Sequence, residues 1–152
     1  MVLSFGFSGI KDLFLKLERE ATALNEEVTR DRFFNFVVTG YSLIDWIKND
    51  PSVPSSAKNK QVVESLYNNK WLKICGDLAT ACKHFELTTR KPVTSSATSE
   101  QGFGFGRYNK GLHGIGEEAI VVTLNDKTTI DCQDIIAGVL TTWNSFFLEH
   151  GI

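Results

Sequence analysis

The chain has 152 residues, of which 42% are hydrophobic and 22% charged, and its formal net charge is −2 at pH 7. These values are typical of one folded domain and exclude a disordered tail or a collagen-like segment. The three cysteines, an odd number without a CxxC pair, argue against a disulfide framework and favour a reducing compartment. No targeting segment is visible, and the longest uncharged stretch in a helical region, residues 33–44, is shorter than the roughly 20 residues of a membrane span. We therefore expect a cytoplasmic protein.

Four amphipathic helices are predicted in the first part of the chain, because apolar side chains recur there at spacings of three and four. The first two span about residues 8–24 and 28–49. The third and fourth span about residues 56–68 and 70–86.

Helix two is predicted to lie at the centre of a bundle. Asn25 or Thr29 can cap its start, and its apolar stripe is unusually wide. Gly40 in its middle lowers helix propensity by about 1 kcal/mol, which indicates a close crossing by another helix.

The character of the sequence changes after the fourth helix. The Ser/Thr-rich stretch at 88–101 has little to bury and is predicted to be a mobile loop. Glycine then alternates with phenylalanine, and residues 103–108 are predicted to be an irregular strand or a loop whose backbone closely approaches another group.

A β-hairpin is predicted from two apolar runs, at about 117–124 and 127–130, on either side of a turn. A last helix follows at 131–149, with Asp131 as its N-cap. The predicted fold class is therefore mainly α: a five-helix bundle with a β-hairpin inserted before the C-terminal helix, in a single domain.

No motif for nucleotide binding, metal binding or nucleophilic catalysis is present, so neither a cofactor nor a metal is expected. Charge is nevertheless uneven, because residues 51–91 carry seven basic and three acidic side chains. A basic region can mark a face for an anion or a nucleic acid, or it can be an ordinary solvated helix surface. Lys70 and Lys73 in this region are candidate binding residues.

Helix four, with the sequence LKICGDLATACKHFEL, holds a polar cluster. Asp77 precedes His84 by seven residues, and Lys83 lies next to the histidine. An imidazole at the core boundary can be a general base or a hydrogen-bonded residue at the edge of the core. Asp45 and Trp46 form a second polar group on helix two, and the Asp45 carboxylate is predicted to pair with Lys83 or His84. Asp45, Trp46 and Asp77 are therefore candidate binding residues.

Three stretches, YSLIDWIKN, LKICGDLATACKHFEL and VVTLNDKTTIDCQDIIAGVLTTWNSFF, occur in an order that resembles a group of uncharacterised bacterial helical proteins. The KHF helix is also similar to the HEPN superfamily of helical bundles, many of whose members are dimeric RNases in toxin–antitoxin and phage-defence systems while others only bind. Catalytic HEPN domains carry an arginine followed, after four to six positions, by a histidine on one helix. No arginine precedes His84 in this way, and Arg107 and His113 have the spacing only in the glycine-rich stretch. The resemblance thus implies a non-catalytic module, and a homodimer through an apolar helix face.

Three functional hypotheses follow. The first is a non-catalytic, HEPN-like binding or interaction module. The second is a metal-independent ribonuclease in which His84 or His113 acts on a phosphate held by Lys83 or Arg107. The third is a small accessory or immunity protein that blocks a partner through the Ser/Thr-rich and glycine-rich stretches. A protein partner or RNA is expected, and a membrane is not.

Overall fold

The computed structural model describes residues 5–85 and 91–152. Within these ranges the chain forms five α-helices and one three-stranded antiparallel sheet. The helices are α1 (Ile10–Glu26), α2 (Arg30–Asn49), α3 (Lys60–Asn68), α4 (Lys70–His84) and α5 (Cys132–His150), with a short 3-10 helix, Ser55–Lys58, before α3. The strands are β1 (Thr94–Glu100), β2 (Ala119–Leu124) and β3 (Thr129–Asp131). The predicted class, mainly α with strands before the last helix, is confirmed.

α2 lies at the centre of the bundle, and its Gly40 marks the place where three other helices approach. A Cβ at this position would lie 3.2 Å from Cγ1 of Val139 on α5 and 3.6 Å from Cδ1 of Leu17 on α1. It would lie 3.9 Å from the sulfur of Cys75 on α4. The indole Nε1 of Trp143 also donates a 3.0 Å hydrogen bond to the Gly40 carbonyl oxygen. The close crossing predicted at Gly40 is therefore confirmed.

The core is shared between the helices and the inner face of the sheet. Apolar side chains of α1, α2, α4 and α5 are fully buried, and they meet Ile120 and Val122 of β2 and Ile130 of β3. Removing this apolar surface from water is the main driving force for folding. None of the helices in the two described ranges is long and apolar enough to cross a membrane.

The sheet contains the predicted hairpin and one strand that we did not expect. β2 and β3 pair antiparallel as predicted. We predicted a mobile loop at 88–101, but residues Thr94–Glu100 form β1 and pair antiparallel with β2. Only Thr94 of this strand is buried, so β1 depends on backbone hydrogen bonds and has no alternating apolar pattern to reveal it. The parts of our predictions that fall on residues 86–90 lie outside the described residues.

Residues 103–108 do not form a strand. Gly104 and Gly106 have φ angles of +87° and +69°, in the left-handed region that interrupts an extended chain. At Gly106 a Cβ would lie 2.6 Å from the carbonyl oxygen of Glu117. The alternative prediction, a loop whose backbone closely approaches another group, is therefore confirmed.

α2 and α4 run antiparallel. Cys82, near the end of α4, lines a cavity together with Phe34 from the start of α2. Tyr67, shortly before α4 begins, lies at the other end of α2, where its hydroxyl is 3.3 Å from Nζ of Lys48. This direction of packing determines which of the predicted site residues can meet.

Candidate binding surface

The structure separates Asp45 from Lys83 and His84, so the predicted pairing of these residues is wrong. His84 ends α4 next to the first turns of α2, whereas Asp45 lies near the end of α2, a helical rise of roughly 16 Å away. The Asp45 carboxylate instead accepts a 3.0 Å hydrogen bond from Lys48, three residues later on the same helix. The physical reason is the antiparallel packing of α2 and α4, which the apolar pattern of each helix does not specify.

Two further candidate binding residues make contacts within the fold. Trp46 is half-buried, and its ring meets that of Phe7 edge-on at a centroid distance of 6.4 Å. Asp77 is 1% exposed, and its Oδ2 accepts hydrogen bonds from the backbone N–H groups of Val93 at 2.8 Å and Thr94 at 3.0 Å. Asp77 therefore fastens the start of β1 to α4 and does not face an open site.

The candidate residues Lys70 and Lys73 lie in the first turns of α4. Nζ of Lys70 lies 4.7 Å from the centroid of the Trp71 ring, a cation–π contact. Lys70 and Trp71 line an open groove of about 970 Å³ between the start of α4 and α5. The groove also contains the carboxylates of Asp134 and Glu149, so this surface is mixed in charge rather than basic.

The candidate catalytic residues fall into two groups. Lys83 and His84 are exposed at the end of α4, while Arg107 and His113 lie beyond β1 in the glycine-rich stretch. No hydrogen bond or ion pair within residues 5–85 and 91–152 joins one group to the other. In the same ranges, no group of three or more His, Cys, Asp or Glu side chains is arranged to hold a metal ion.

Residues 101–116, which we call the glycine-rich segment, expose five large apolar side chains. Phe103 and Tyr108 are fully exposed, Leu112 is 65% exposed, and Phe105 and Ile115 are about half exposed. Burying a side chain of this size contributes about 1.5–3 kcal/mol. Because such residues are normally buried when they cluster, a group of them on one surface segment indicates an interaction site.

The glycine-rich segment is anchored to the rest of the protein by a buried carboxylate. Glu117 is 1% exposed, and its Oε1 accepts hydrogen bonds from the backbone N and Nε of Arg107 at 2.9 and 2.6 Å. Its Oε2 accepts from Nη2 of Arg107 at 3.1 Å and from the backbone N of Val28 at 2.8 Å. Nη2 of Arg107 also donates to the Leu24 carbonyl oxygen at 2.8 Å. We call these four residues the Glu117 clamp, and they tie the segment to the connection between α1 and α2.

The carboxylate of Glu117 in this clamp is ionised at neutral pH. Burial alone raises the pKa of the Glu117 carboxyl, but hydrogen bonds from Arg107 and from the Val28 N–H outweigh burial and hold this pKa below its ordinary value. The hydrogen bond to Glu117 likewise raises the pKa of the Arg107 guanidinium. Arg107 is therefore a cation that is already bound by a carboxylate of its own chain.

Glu117 is a residue that sequence reasoning missed. Its only signal is an acidic pair, Glu117 and Glu118, directly before an apolar strand. One hydrogen-bond partner, Arg107, is ten residues away in the chain, and another, Val28, is 89 residues away. A contact over such a separation has no local pattern in the sequence.

Comparison with protein-family models, with curated proteins and with solved structures found no match for this chain.

Proposed function

We propose that this protein is a non-catalytic binding module that docks a protein partner onto the glycine-rich segment. The observation that carries the proposal is the full exposure of Phe103 and Tyr108 beside the partly exposed Leu112. Aromatic anchors supply much of the binding free energy at protein interfaces once a partner covers them. The resemblance to HEPN domains, some of which only bind, agrees with this function and suggests a defence or toxin–antitoxin context.

The glycine-rich segment is held in shape before a partner arrives. The Glu117 clamp fixes it near its middle through Arg107. The Leu112 carbonyl accepts hydrogen bonds from the backbone N–H groups of Ile115 at 3.1 Å and Gly116 at 2.8 Å. A loop that is ordered in advance loses less conformational entropy on binding, so its apolar contacts yield more affinity.

A protein partner fits this segment better than RNA does. Nucleic-acid binding draws much of its affinity from Lys and Arg side chains on phosphates. The segment has two such side chains, Arg107 and Lys110, and Arg107 is bound to Glu117. RNA bases could still stack on Phe103 and Tyr108, but few cationic side chains would attract the RNA phosphates.

The ribonuclease alternative has less support from the geometry and stays a prediction. It needs His84 or His113 within hydrogen-bond reach of a phosphate that a cation steadies. Within the described residues no hydrogen bond or ion pair brings Lys83 or His84 of α4 to the segment that carries His113, and the Arg107 guanidinium is engaged by the clamp.

The accessory or immunity role would use the same surface. β1, which lies within the Ser/Thr-rich stretch, leads directly into the glycine-rich segment. The side-chain amide of Gln101 at this junction donates a 2.9 Å hydrogen bond to the Gly116 carbonyl oxygen. Such a protein would differ from a simple binding module only in what docking does to the partner.

The proposal is tested by changing Phe103, Tyr108 and Leu112 together to serine. All three side chains are exposed, so we expect the free energy of unfolding to change by no more than about 0.5 kcal/mol. Wild-type protein is immobilised, a partner is captured from lysate of the native cell, and the purified partner is titrated against each variant by calorimetry. We expect the triple variant to lose about 2 kcal/mol of binding free energy or more, which is roughly 30-fold in Kd.

The matched control changes Phe5 and Leu148 to serine, because these side chains are 98% and 86% exposed outside the segment. The control should bind as the wild type does. Wild-type affinity in the triple variant would refute the proposal. So would binding of labelled RNA that the triple variant loses, or cleavage of RNA that His84→Ala abolishes.

A further inference from the structure

β1 leaves one edge of the sheet open. The strand order is β1-β2-β3, so within the described residues the outer edge of β1 has no strand beside it. Open edges present a row of unpaired N–H and C=O groups, and proteins usually protect them with Lys, Pro or a covering element. β1 has the sequence TSSATSE, with a single charged residue, Glu100, at its end. Its edge is therefore a template for another strand.

An apolar patch lies directly beside this edge. Ala97 and Ser99 pair with Val122 and Ile120, which are buried, so they face the helices. They line a cavity of about 330 Å³ with side chains of α2 and α4, among them Phe34, which is 45% exposed, together with Leu78 and Cys82. A strand added to β1 would cover both the open edge and this patch, as in other cases of strand addition.

We infer that a second copy of this chain occupies the edge, so that two β1 strands pair antiparallel across a two-fold axis and form one six-stranded sheet. With the axis at Ala97, Ser96 faces Thr98 of the other copy, and the regular pairing starts at Ser96 because the β1 register shifts between Thr94 and Ser96. No like charges meet, and hydroxyl side chains oppose one another, which favours cross-strand pairing. The axis is perpendicular to the sheet, so both helix layers lie on the same side and the two apolar patches become neighbours.

Charge at the rim of the patch also favours a second copy. Arg30 and Asp31 both line the cavity, and Nε of Arg30 lies 3.4 Å from a carboxylate oxygen of Glu118, so the rim carries charges of both signs. A two-fold axis brings identical surfaces together, and a surface of mixed charge can place opposite charges against each other. The proposed interface contains the open edge of β1 and the apolar patch between β1, α2 and α4. It does not depend on what the glycine-rich segment binds.

The test changes Ser96 and Thr98 to lysine. These residues pair with Thr123 and Val121, and both are exposed, so we expect the lysine side chains to be accommodated without loss of the fold. The mass in solution is measured by light scattering and sedimentation over a range of concentrations. We expect the wild type at twice the chain mass of 17.0 kDa. The lysine variant should show a dimer Kd raised by about tenfold, with the loss reduced at high salt.

A second variant, Ser96→Glu with Thr98→Glu, should also be a poor dimer alone but should form a mixed dimer with the lysine variant. That recovery requires both variants to be folded. The control, Thr123→Lys, places a lysine on the same face but on β2, and it should dimerise as the wild type does. A wild type that stays monomeric at every concentration, an unaffected lysine variant, or a mixture that does not recover would each overturn the inference.

Discussion

Glu117 holds an ionised carboxylate at a position where only 1% of the residue is exposed, and Arg107 meets it with its backbone N–H and two guanidinium N–H groups. A buried charge is costly unless a partner and several hydrogen bonds compensate it. Here the compensation comes from two distant parts of the chain, since Val28, 89 residues before Glu117, also donates to the carboxylate. The residue therefore links the glycine-rich segment to the helical core.

We predict that Glu117→Gln lowers the free energy of unfolding by about 1–3 kcal/mol at neutral pH, because a charge-assisted bond to Arg107 is lost. The pKa of Glu117 in the folded protein is below its ordinary value, so the ionised carboxylate stabilises the fold. This stabilisation is fully present above about pH 4.3, the ordinary value for glutamate, and it is lost as the pH falls through the folded-state pKa. Urea denaturation at a series of acidic pH values should show the difference between the two proteins shrinking as the pH falls.

The control for this measurement is Glu100→Gln, since Glu100 is exposed at the end of β1. It should leave both the stability at neutral pH and its pH dependence close to those of the wild type. A constant difference between wild type and Glu117→Gln at all pH values would show that the ionised carboxylate does not stabilise the fold.

At the scale of the element, β1 is the segment whose structure depends least on its own sequence. Six of its seven residues are exposed, and its inner edge is held by hydrogen bonds to β2. Its start is held by Asp77, whose carboxylate accepts hydrogen bonds from the backbone N–H groups of Val93 and Thr94. A single carboxylate on α4 thus determines where this strand joins the helical bundle.

We predict that Asp77→Ala loosens the start of β1 more than the rest of the domain. The buried N–H of Thr94 and the partly buried N–H of Val93 lose their acceptor, which reduces the local opening free energy by about 2 kcal/mol. Hydrogen exchange should therefore accelerate by roughly 30-fold at Val93 and Thr94, and less at Val122 in β2.

The matched control is Asp45→Ala, which removes an exposed carboxylate from α2 and with it a surface ion pair to Lys48. Exchange in β1 should be unchanged in that variant, and the free energy of unfolding should fall by less than about 1 kcal/mol. Uniform acceleration of all amides in Asp77→Ala would contradict a local role for Asp77.

At the scale of the whole molecule, α5 closes the bundle by two close approaches. The Trp143 indole reaches the Gly40 backbone of α2. The ring of Trp71 on α4 lies flat against Gly138 of α5, so a Cβ at position 138 would overlap the indole. Gly138 therefore makes room for an aromatic ring, while Gly40 makes room for the aliphatic and thiol side chains of Val139, Leu17 and Cys75.

We predict that Gly138→Ala destabilises the domain by about 1–3 kcal/mol, because Trp71 must move. In a Trp71→Ala background the same change should instead be neutral or stabilising by up to about 1 kcal/mol, since alanine favours a helix more than glycine does. Denaturation monitored by circular dichroism gives both values. An equal effect in the two backgrounds would mean that Trp71 and Gly138 are not coupled.

The sequence was sufficient to place the helices and to predict the caps of two of them. The apolar period placed all five helices, and two predicted caps are observed: Thr29 accepts from the Arg32 N–H at 3.2 Å, and Asp131 accepts from the Gln133 N–H at 2.7 Å. The cap of α3 was missed: Asn59 accepts a 2.9 Å hydrogen bond from the Val62 N–H. These features depend on neighbours within a few residues, which is why a single sequence reveals them.

The tertiary structure alone decided β1, the Glu117 clamp and the separation of Asp45 from His84. Each depends on which elements lie side by side. The polar strand β1 is ordered by its pairing with β2. Glu117 is ionised in the interior because it accepts hydrogen bonds from Arg107 and from Val28, which is 89 residues earlier in the chain. The periodicity of a helix states which face is buried but not the direction in which it crosses its neighbour. The sequence therefore determined the elements of this protein, and long-range packing determined which of its polar and aromatic side chains are free to meet a partner.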